Sequence, residues 1–440
     1  PGGDSLGGEK RALLLEEAAD LFEAHTAEFL SLATREAGKT LLDGVLEVRE
    51  AVDFLRYYAS EARRQFGPPI RLPGPTGEEN SLSLHGRGVF ATISPWNFPL
   101  AIFTGMASAA LAAGNAVIAK PAEQTPLIAA LAVKLCHEAG IPPEAFQLLP
   151  GAGEVGQLIT ADPRLAGVAF TGSTETARAI NRTLAGREGP IATFIAETGG
   201  QNAMIVDSSA LPEQVVRDVV ASAFQSAGQR CSALRVLYLQ EDVADSMLEM
   251  IRGGFEALNV GDPAHLWTDV GPVIDPDAQA ALERHVARSE ASGRHVMRCA
   301  MPNETGKGCF VAPTIIEVDS ILELTRENFG PVLHVARFRS QDLGQVIADI
   351  NATGYGLTLG LHSRIAATRR FVEARVRVGN FYVNRNQIGA VVESQPFGGE
   401  GLSGTGPKAG GPHYLARFAV ERAVCVDTTA AGGNATLLQA

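Results

Sequence analysis

From Asn115 to Glu197 the chain alternates apolar runs of strand length with amphipathic runs of helix length. No other feature constrains the fold as tightly. The segments are "NAVIAK" (115–120), "TPLIAALAVKLCHEAG" (125–140), "FQLLPG" (146–151), "GEVGQLIT" (153–160), "GVAFTG" (167–172), "STETARAINRTLA" (173–185) and "TFIAE" (193–197). Consecutive strands joined by a helical crossover run parallel, and the helices cover the two faces of the sheet. Ligands of such sheets sit beyond the carboxyl ends of the strands.

A second alternating series begins at "PEQVVRDVVASAF" (212–224), where Val215, Val216, Val219, Val220, Ala223 and Phe224 share a helical face, and runs through "RVLYLQ", "FVAPTIIEV", "PVLHVARF" and "VGNFYVN". Two α/β units fit a length of 440 residues, which exceeds one ordinary domain. Upstream, Arg11 to Phe66 reads as two or three amphipathic helices, and "ENSLSLHGRGVFATIS" (79–94) as a pair of short strands. The tail "VERAVCVDTT" is β-rich and can pair with those early strands or with a partner chain. "LAIFTGMASAALAAGNAVIAK", from Leu100, approaches membrane-spanning length. Gly105, Gly114 and Asn115 interrupt it and Pro99 and Lys120 bound it, so a buried helix followed by a buried strand is expected.

A formal charge of −12 opposes adhesion to nucleic acid or anionic lipid, which select clustered Lys and Arg. Neither is expected as a partner. The five cysteines show no paired spacing and no signal peptide opens the chain, which fits a reducing cytoplasm. No HExxH-type pair occurs among the nine histidines, so no metal site is expected. The missing initial methionine is consistent with a processed chain or an excised domain.

Several motifs fall at the predicted strand ends. "GAGEVG" (151–156) matches GxGxxG between a strand and a helix, but the following strand ends without the acid that should hold a ribose. A tight turn is the alternative. Ser173 and Thr174 can cap a helix whose free amides form a phosphate seat, or can be a simple cap. Lys120 and Glu123 are either ribose ligands or solvated strand tips. In "SPWNFP" Pro99 suits the first turn of a helix, and Asn97 is either a helix cap or an amide donor for an oxyanion. Glu197 is either a surface acid or, if desolvated, a base near neutral pH. Cys231 lies in the turn "GQRCS", where a thiolate would have amide donors and the positive neighbour Arg230; an inert packing cysteine is the alternative.

Together, "SPWNFP", "AKPAEQTP", "FTGSTETA", "ETGGQN", "GQRCS", "RENFGPVL", "GYGLT" and "QPFGG", in this order from about residue 35 to nearly the end, resemble the aldehyde dehydrogenase superfamily. The resemblance implies an α/β fold with a Rossmann-like NAD-binding domain (1–72 and 88–199), an α/β catalytic domain (200–417), a small β oligomerisation element (73–87 and 418–430) and a tail (431–440). It implies Cys231 as nucleophile, Asn97 as oxyanion amide and Glu197 as base. NAD would lie on Ile93, Ser94, Pro95, Trp96, Lys120, Glu123, Gly153, Gly172 and Ser173, with Glu327 and Phe329 clamping its nicotinamide end. "GAGEVG" then falls beside the adenine and is not the phosphate loop. No metal is implied.

Within the superfamily, residues 384–412 are most similar to L-glutamate γ-semialdehyde dehydrogenases, especially the module of bifunctional proline utilization A proteins. That implies Gly389 and Ala390 amides for the substrate carboxylate, Phe98 and Phe397 around its aliphatic stem, and Ser232 as a further polar contact. Some relatives carry serine at the position of Ala390. The implied reaction is NAD-dependent oxidation of L-glutamate γ-semialdehyde to glutamate, in at least a homodimer, with a fused proline dehydrogenase domain in the full-length protein. Oxidation of another small carboxylated aldehyde such as succinate semialdehyde, or a noncatalytic descendant of the fold, is the alternative. A cysteine hydrolase would need a histidine partner, which no motif supplies.

Overall fold

The computed structural model describes residues 6–75 and 77–427; the expected tail (431–440) and the end of the β element (428–430) lie outside the described residues. Three helices open the chain, Gly7–Ala24, Thr26–Ala37 and Leu41–Gln65. They pack their alanine-rich faces with Phe22, Phe29, Phe54 and Tyr58 into the core of the first unit.

That unit holds a five-stranded parallel sheet in the order Phe146–Leu148, Ala116–Lys120, Val89–Ile93, Leu165–Gly172, Thr193–Thr198. The chain starts at the central strand, moves to one edge, then returns to fill the other side. The crevice between Ile93 and Gly172 is therefore the topological switch point. The apolar run from Leu100 divides, as expected, into the buried helix Ala101–Ala112 and the strand Ala116–Lys120.

The expected place of Pro99 in the first turn of that helix is corrected, because the helix begins at Ala101. Glu47, reaching over from the helix Leu41–Gln65, accepts hydrogen bonds from the Leu100 and Ala101 amides at 3.2 and 2.9 Å. A buried carboxylate on those free amides caps the helix from a distant segment.

The second unit contains a seven-stranded sheet in the order Val296–Arg298, Thr314–Glu317, Val332–Phe338, Val236–Gln240, Ala203–Val206, Thr358–His362, Asn380–Val383. Only the edge strand Val296–Arg298 runs antiparallel. The tail strand Ala419–Val426 pairs with Glu79–Gly86, which also pairs with Ile70–Leu72. Tyr414, Leu415 and Phe418 sit in the core of the first unit.

An ion pair fastens the two units beneath the future site. Arg230, just before the cysteine, holds Asp43 of the third helix at 2.9 Å, and their side chains are 6% and 0% exposed. Thr40 and Gln225 supply further hydrogen bonds to that carboxylate. Burial alone would raise the Asp43 pKa, but the charges of Arg230 and Lys39 hold it below the usual value. Asp43→Ala should therefore destabilise the protein by about 3 to 5 kcal/mol, because it strands a buried guanidinium. A denaturant titration showing no loss would contradict this account.

Candidate active site

The carboxyl ends of the first sheet meet the amino ends of the second. Strand Thr193–Thr198 delivers Glu197, and the turn 199–202 leads directly into strand Ala203–Val206. This turn packs closely: a Cβ on Gly199 would come within 1.9 Å of the Glu327 carboxylate. At the end of helix Pro212–Phe224 the chain bends through Ser226, Ala227 and Gly228, all with positive φ. A side chain on Gly228 would meet the Gly330 carbonyl at 2.2 Å, so this position needs glycine for space as well as conformation. The bend carries Cys231 to the mouth of strand Val236–Gln240.

Cys231 and Glu197 line one cavity of about 310 Å3. Asn97 does not cap a helix; its side-chain amide donates to the Gln229 carbonyl at 3.1 Å, two residues before the cysteine, and it is buried. Cys231 and Glu197 thus come together from distant segments, whereas Asn97 is not among the residues that line their cavity and reaches the cysteine's turn through Gln229. The Cys231 carbonyl is held by Asn202 at 2.7 Å, while its own amide has no backbone acceptor among the described residues.

The expected positive neighbour is corrected by the Arg230–Asp43 pair, because the guanidinium turns away to a buried carboxylate. Burial first, and then the negative charges of Glu327, Glu197 and Glu50, push the Cys231 thiol up to about 12. Glu197 is pushed by burial up to about 8, against the opposing effects of the Gly399 amide and Lys408. One Glu197 oxygen accepts from Gly399 at 3.1 Å, whereas the other, also buried, has no protein partner. That oxygen is therefore free to take a proton.

Residues 388–392 line the same cavity. Neither the Gly389 nor the Ala390 amide donates a hydrogen bond among the described residues. Phe98, Phe397, Ser232, Gly389 and Ala390 all line the same cavity. Lys39 stands 4.3 Å from the centroid of the Phe98 ring and pairs with Glu47.

The nucleotide-side residues lie along the first sheet's carboxyl edge. Lys120 is 5% exposed, so it is no solvated tip; Glu123 is 3.8 Å away and half exposed. Burial lowers the Lys120 pKa against the pull of Glu123 and Glu154. Ser173 caps the helix Thr174–Ala185 by accepting from the Thr176 amide. Ile93 and Ser94 are buried at the switch point, and the Ser94 hydroxyl has no partner. Gly153 opens a helix after the edge strand, two strands away from the switch point. Gly172 ends its strand where a Cβ would strike the Phe170 ring at 2.5 Å.

Glu327 and Phe329 precede the strand Val332–Phe338. Phe329 meets Trp96, next to Pro95, edge to face at 5.6 Å. Glu327 pairs at 3.1 Å with Arg235, a residue missed in the sequence. Arg235 is 1% exposed and donates to the Gly228, Gly330 and Arg230 carbonyls, joining the nucleophile bend to the clamp. No local pattern marks this arginine, because its role exists only where three segments meet.

A lone buried hydroxyl, a lysine and acid at one strand end, and a capped helix at the switch point suit a dinucleotide with ribose and phosphate groups. Comparison with known proteins agrees with this geometry. The model of the aldehyde dehydrogenase family matches residues 4–424. The chain is 55% identical over 423 residues to the bifunctional protein PutA of Klebsiella aerogenes, covering 94% of this chain and 31% of that protein. It is 38% identical to a 1-pyrroline-5-carboxylate dehydrogenase of Geobacillus kaustophilus, covering 92% of this chain and 79% of that one. A crystal structure of bifunctional proline utilization A superposes with a TM-score of 0.96 at 58% identity, covering 98% and 44% of the two chains. A 1-pyrroline-5-carboxylate dehydrogenase from Thermus with bound NAD gives 0.90 at 35% identity, covering 96% and 82%. The chain spans about a third of the length of the bifunctional curated relatives it matches. With Cys231 and Glu197 on one cavity beside a dinucleotide-type crevice, and with this match along nearly its whole length, the chain belongs to the aldehyde dehydrogenase family.

Proposed function

We propose that the protein oxidises L-glutamate γ-semialdehyde to L-glutamate with NAD. The observation that carries this reading is the cavity itself, which is lined both by Cys231 and Glu197 and by two adjacent residues whose backbone amides lack acceptors, Gly389 and Ala390. Such amides suit a carboxylate. Phe98 and Phe397 offer apolar surface for the carbon chain between them. The relatives named as PutA and 1-pyrroline-5-carboxylate dehydrogenase support the same substrate.

The reaction must make an aldehyde carbon release hydride, which becomes feasible once that carbon is tetrahedral and its oxygen negative. Cys231 attacks the carbonyl carbon through sulfur as its thiol proton passes to water in the cavity and so to solvent. Asn97 and the Cys231 amide are the donors to the oxyanion, and each such donor is worth about 3 to 4 kcal/mol. Bound NAD supplies the hydride acceptor. Ser94, Lys120, Glu123 and Ser173 would hold its ribose and phosphate groups, with Ile93, Pro95, Trp96, Gly153 and Gly172 along its path and Glu327 and Phe329 at the reacting ring. Loss of hydride leaves an acyl thioester on Cys231. Glu197 then takes a proton from water as the oxygen attacks the thioester, which releases the carboxylic acid and restores the sulfur. Glu123 would repel the extra phosphate of NADP, so NAD is the preferred form.

We also propose the division into NAD-binding, catalytic and oligomerisation parts at the boundaries given above. The exposed Val420, Val424 and Val426 of the tail strand support at least a homodimer, and the bifunctional relatives support a fused proline dehydrogenase domain. All five cysteines are free thiols, which supports a reducing, cytoplasmic setting. Among the described residues no helix is long and apolar enough to cross a membrane.

The test is a panel of aldehydes with and without a carboxylate, each with NAD and with NADP, followed by growth of reduced-nicotinamide absorbance. Glutamate semialdehyde with NAD should give the highest kcat/KM. A higher value for succinate semialdehyde would replace the substrate, and no turnover with any aldehyde would remove the reaction.

A further inference from the structure

The Glu197 carboxylate is held by one hydrogen bond among the described residues, from the Gly399 amide at 3.1 Å. Whatever fixes that amide fixes the base. The amide belongs to the peptide unit that joins Gly398 to Gly399, and the carbonyl at the other end of the same unit accepts from the Lys408 ammonium at 2.7 Å. A lysine and a glutamate thus sit on opposite ends of one peptide group.

Lys408 is half-buried, and an ammonium has three donors. All three are spent, on the Gly398 carbonyl, on the Gly379 carbonyl at 2.5 Å and on the Asn380 side-chain oxygen at 2.9 Å. Each of these acceptors is neutral, so the charge is left to act on its surroundings while no donor remains for Glu197 or a substrate. The packing is close throughout. A Cβ on Gly379 would strike the Gly398 carbonyl at 1.9 Å, and one on Gly398 would come within 3.0 Å of the Glu197 carboxylate and 3.3 Å of the Lys408 Cα. Lysine, peptide and acid lie in direct succession.

We propose that Lys408 is a positioning residue for the base: by holding the Gly398 carbonyl it orients and polarises the peptide whose amide grips Glu197, and its charge favours the carboxylate over the acid. The inference rests on the proposed role of Glu197 in thioester hydrolysis. A donor at the carbonyl end of a peptide strengthens the amide at the other end, because hydrogen bonds in a chain polarise one another. The charge acts in the same sense. Burial favours the neutral form of Glu197, and the Gly399 amide and then Lys408 oppose it. The other titratable groups facing this acid are Cys231 and Tyr414, both kept neutral by burial, and Glu400 faces Lys408. Lys408 is thus the cation that acts on the base.

Lys408→Met keeps the length of the side chain and removes its charge and donors. On rapid mixing with aldehyde and NAD, the first equivalent of reduced cofactor should form as in the unsubstituted protein. Hydrolysis of the thioester should then slow by about tenfold at neutral pH, and its rise with pH should move up by about one pH unit. The move is upward because loss of a cation favours the neutral acid. Lys408→Arg, which keeps the charge, should return most of the shift. Added to Glu197→Gln, Lys408→Met should change the residual hydrolysis by less than about twofold, since residues acting through one group are not additive.

An unmoved profile in Lys408→Met overturns the assignment, as does an arginine variant displaced as far as the methionine one. A further loss of about tenfold on the Glu197→Gln background does the same, because the lysine would then act through some other group. Should the methionine variant fail to fold, Lys408→Gln, which keeps a donor and removes the charge, is read by the same profile. The reaction itself is judged separately. p-Nitrophenyl acetate acylates a thiol without hydride transfer, so release of acetate from Cys231 reports the same hydrolysis with no aldehyde present. A shifted profile with this ester and no oxidation of any aldehyde would sink the dehydrogenase reading and keep the role of Lys408. Oxidation with an unshifted profile would do the reverse.

Discussion

Cys231→Ala should lower aldehyde oxidation by a factor on the order of 10^4 or more, because no covalent intermediate can form without the sulfur. Cofactor binding should survive, since Ser94, Lys120 and Ser173 lie on the first sheet's carboxyl edge, away from the bend that carries the cysteine. The loss must appear in single turnovers as well as in steady state. Ser232, which neighbours the sulfur, cannot substitute: a serine hydroxyl is a weak nucleophile unless an adjacent base activates it. A Cys231→Ala protein that still produces reduced nicotinamide from aldehyde would displace the cysteine from its assigned role. The half-buried thiol, held up to about 12 by desolvation and three carboxylates, also predicts slow alkylation of the free protein at neutral pH.

Glu197→Gln should separate the two halves of the reaction. Formation of the thioester does not need the carboxylate to activate water, but hydrolysis does. The variant should therefore release about one equivalent of reduced cofactor per site in a rapid burst and then turn over some 10^2 to 10^4 times more slowly. Absence of the burst would move Glu197 to the first half of the reaction. The same residue sets the pH dependence. Its carboxyl, raised to about 8, must be ionised to accept a proton, so in the unsubstituted protein the rate of hydrolysis rises with pH up to about 8 and levels above it. The sign follows from burial favouring the neutral acid. A flat profile from pH 6 to 9, roughly the range over which such a group ionises, would contradict the assignment. The limb should also vanish in the glutamine variant, which has nothing to titrate.

Much of the fold was legible in the sequence because it is locally encoded. The alternation from Asn115 onward predicts the parallel sheet, and the segments named there coincide with the strands and helices found. Ser173 caps its helix as its side chain suggests. Two central strands of the second sheet, Ala203–Val206 and Thr358–His362, escaped notice. Both are short and buried along their length, so they show no polar alternation for the eye to follow. The apolar run from Leu100 could be divided correctly because glycine and asparagine punctuate it, whereas the start of its helix was misplaced because the cap, Glu47, comes from another helix.

The candidate site divides in the same way. Cys231, Glu197 and Asn97 could be named from motifs, since each lies at a strand end or turn that the local pattern reveals. The partners that tune them could not. Arg230 looks like a charge beside the thiol in the sequence, but in space Asp43 claims it. Arg235 looks like the first residue of a strand, yet it binds three carbonyls and Glu327. Glu50 looks like one acid among many on an amphipathic helix.

The sequence by itself determined the strands and helices of the first sheet, the family and the residues proposed as reactive, because turns, caps and hydrophobic periodicity act over a few residues. Tertiary structure alone decided which charges are cancelled and which are left facing the cavity. Desolvation and Coulomb interaction depend on separation in space, and a chain can bring residues 43 and 230 within 2.9 Å without leaving any trace of that approach in either local stretch.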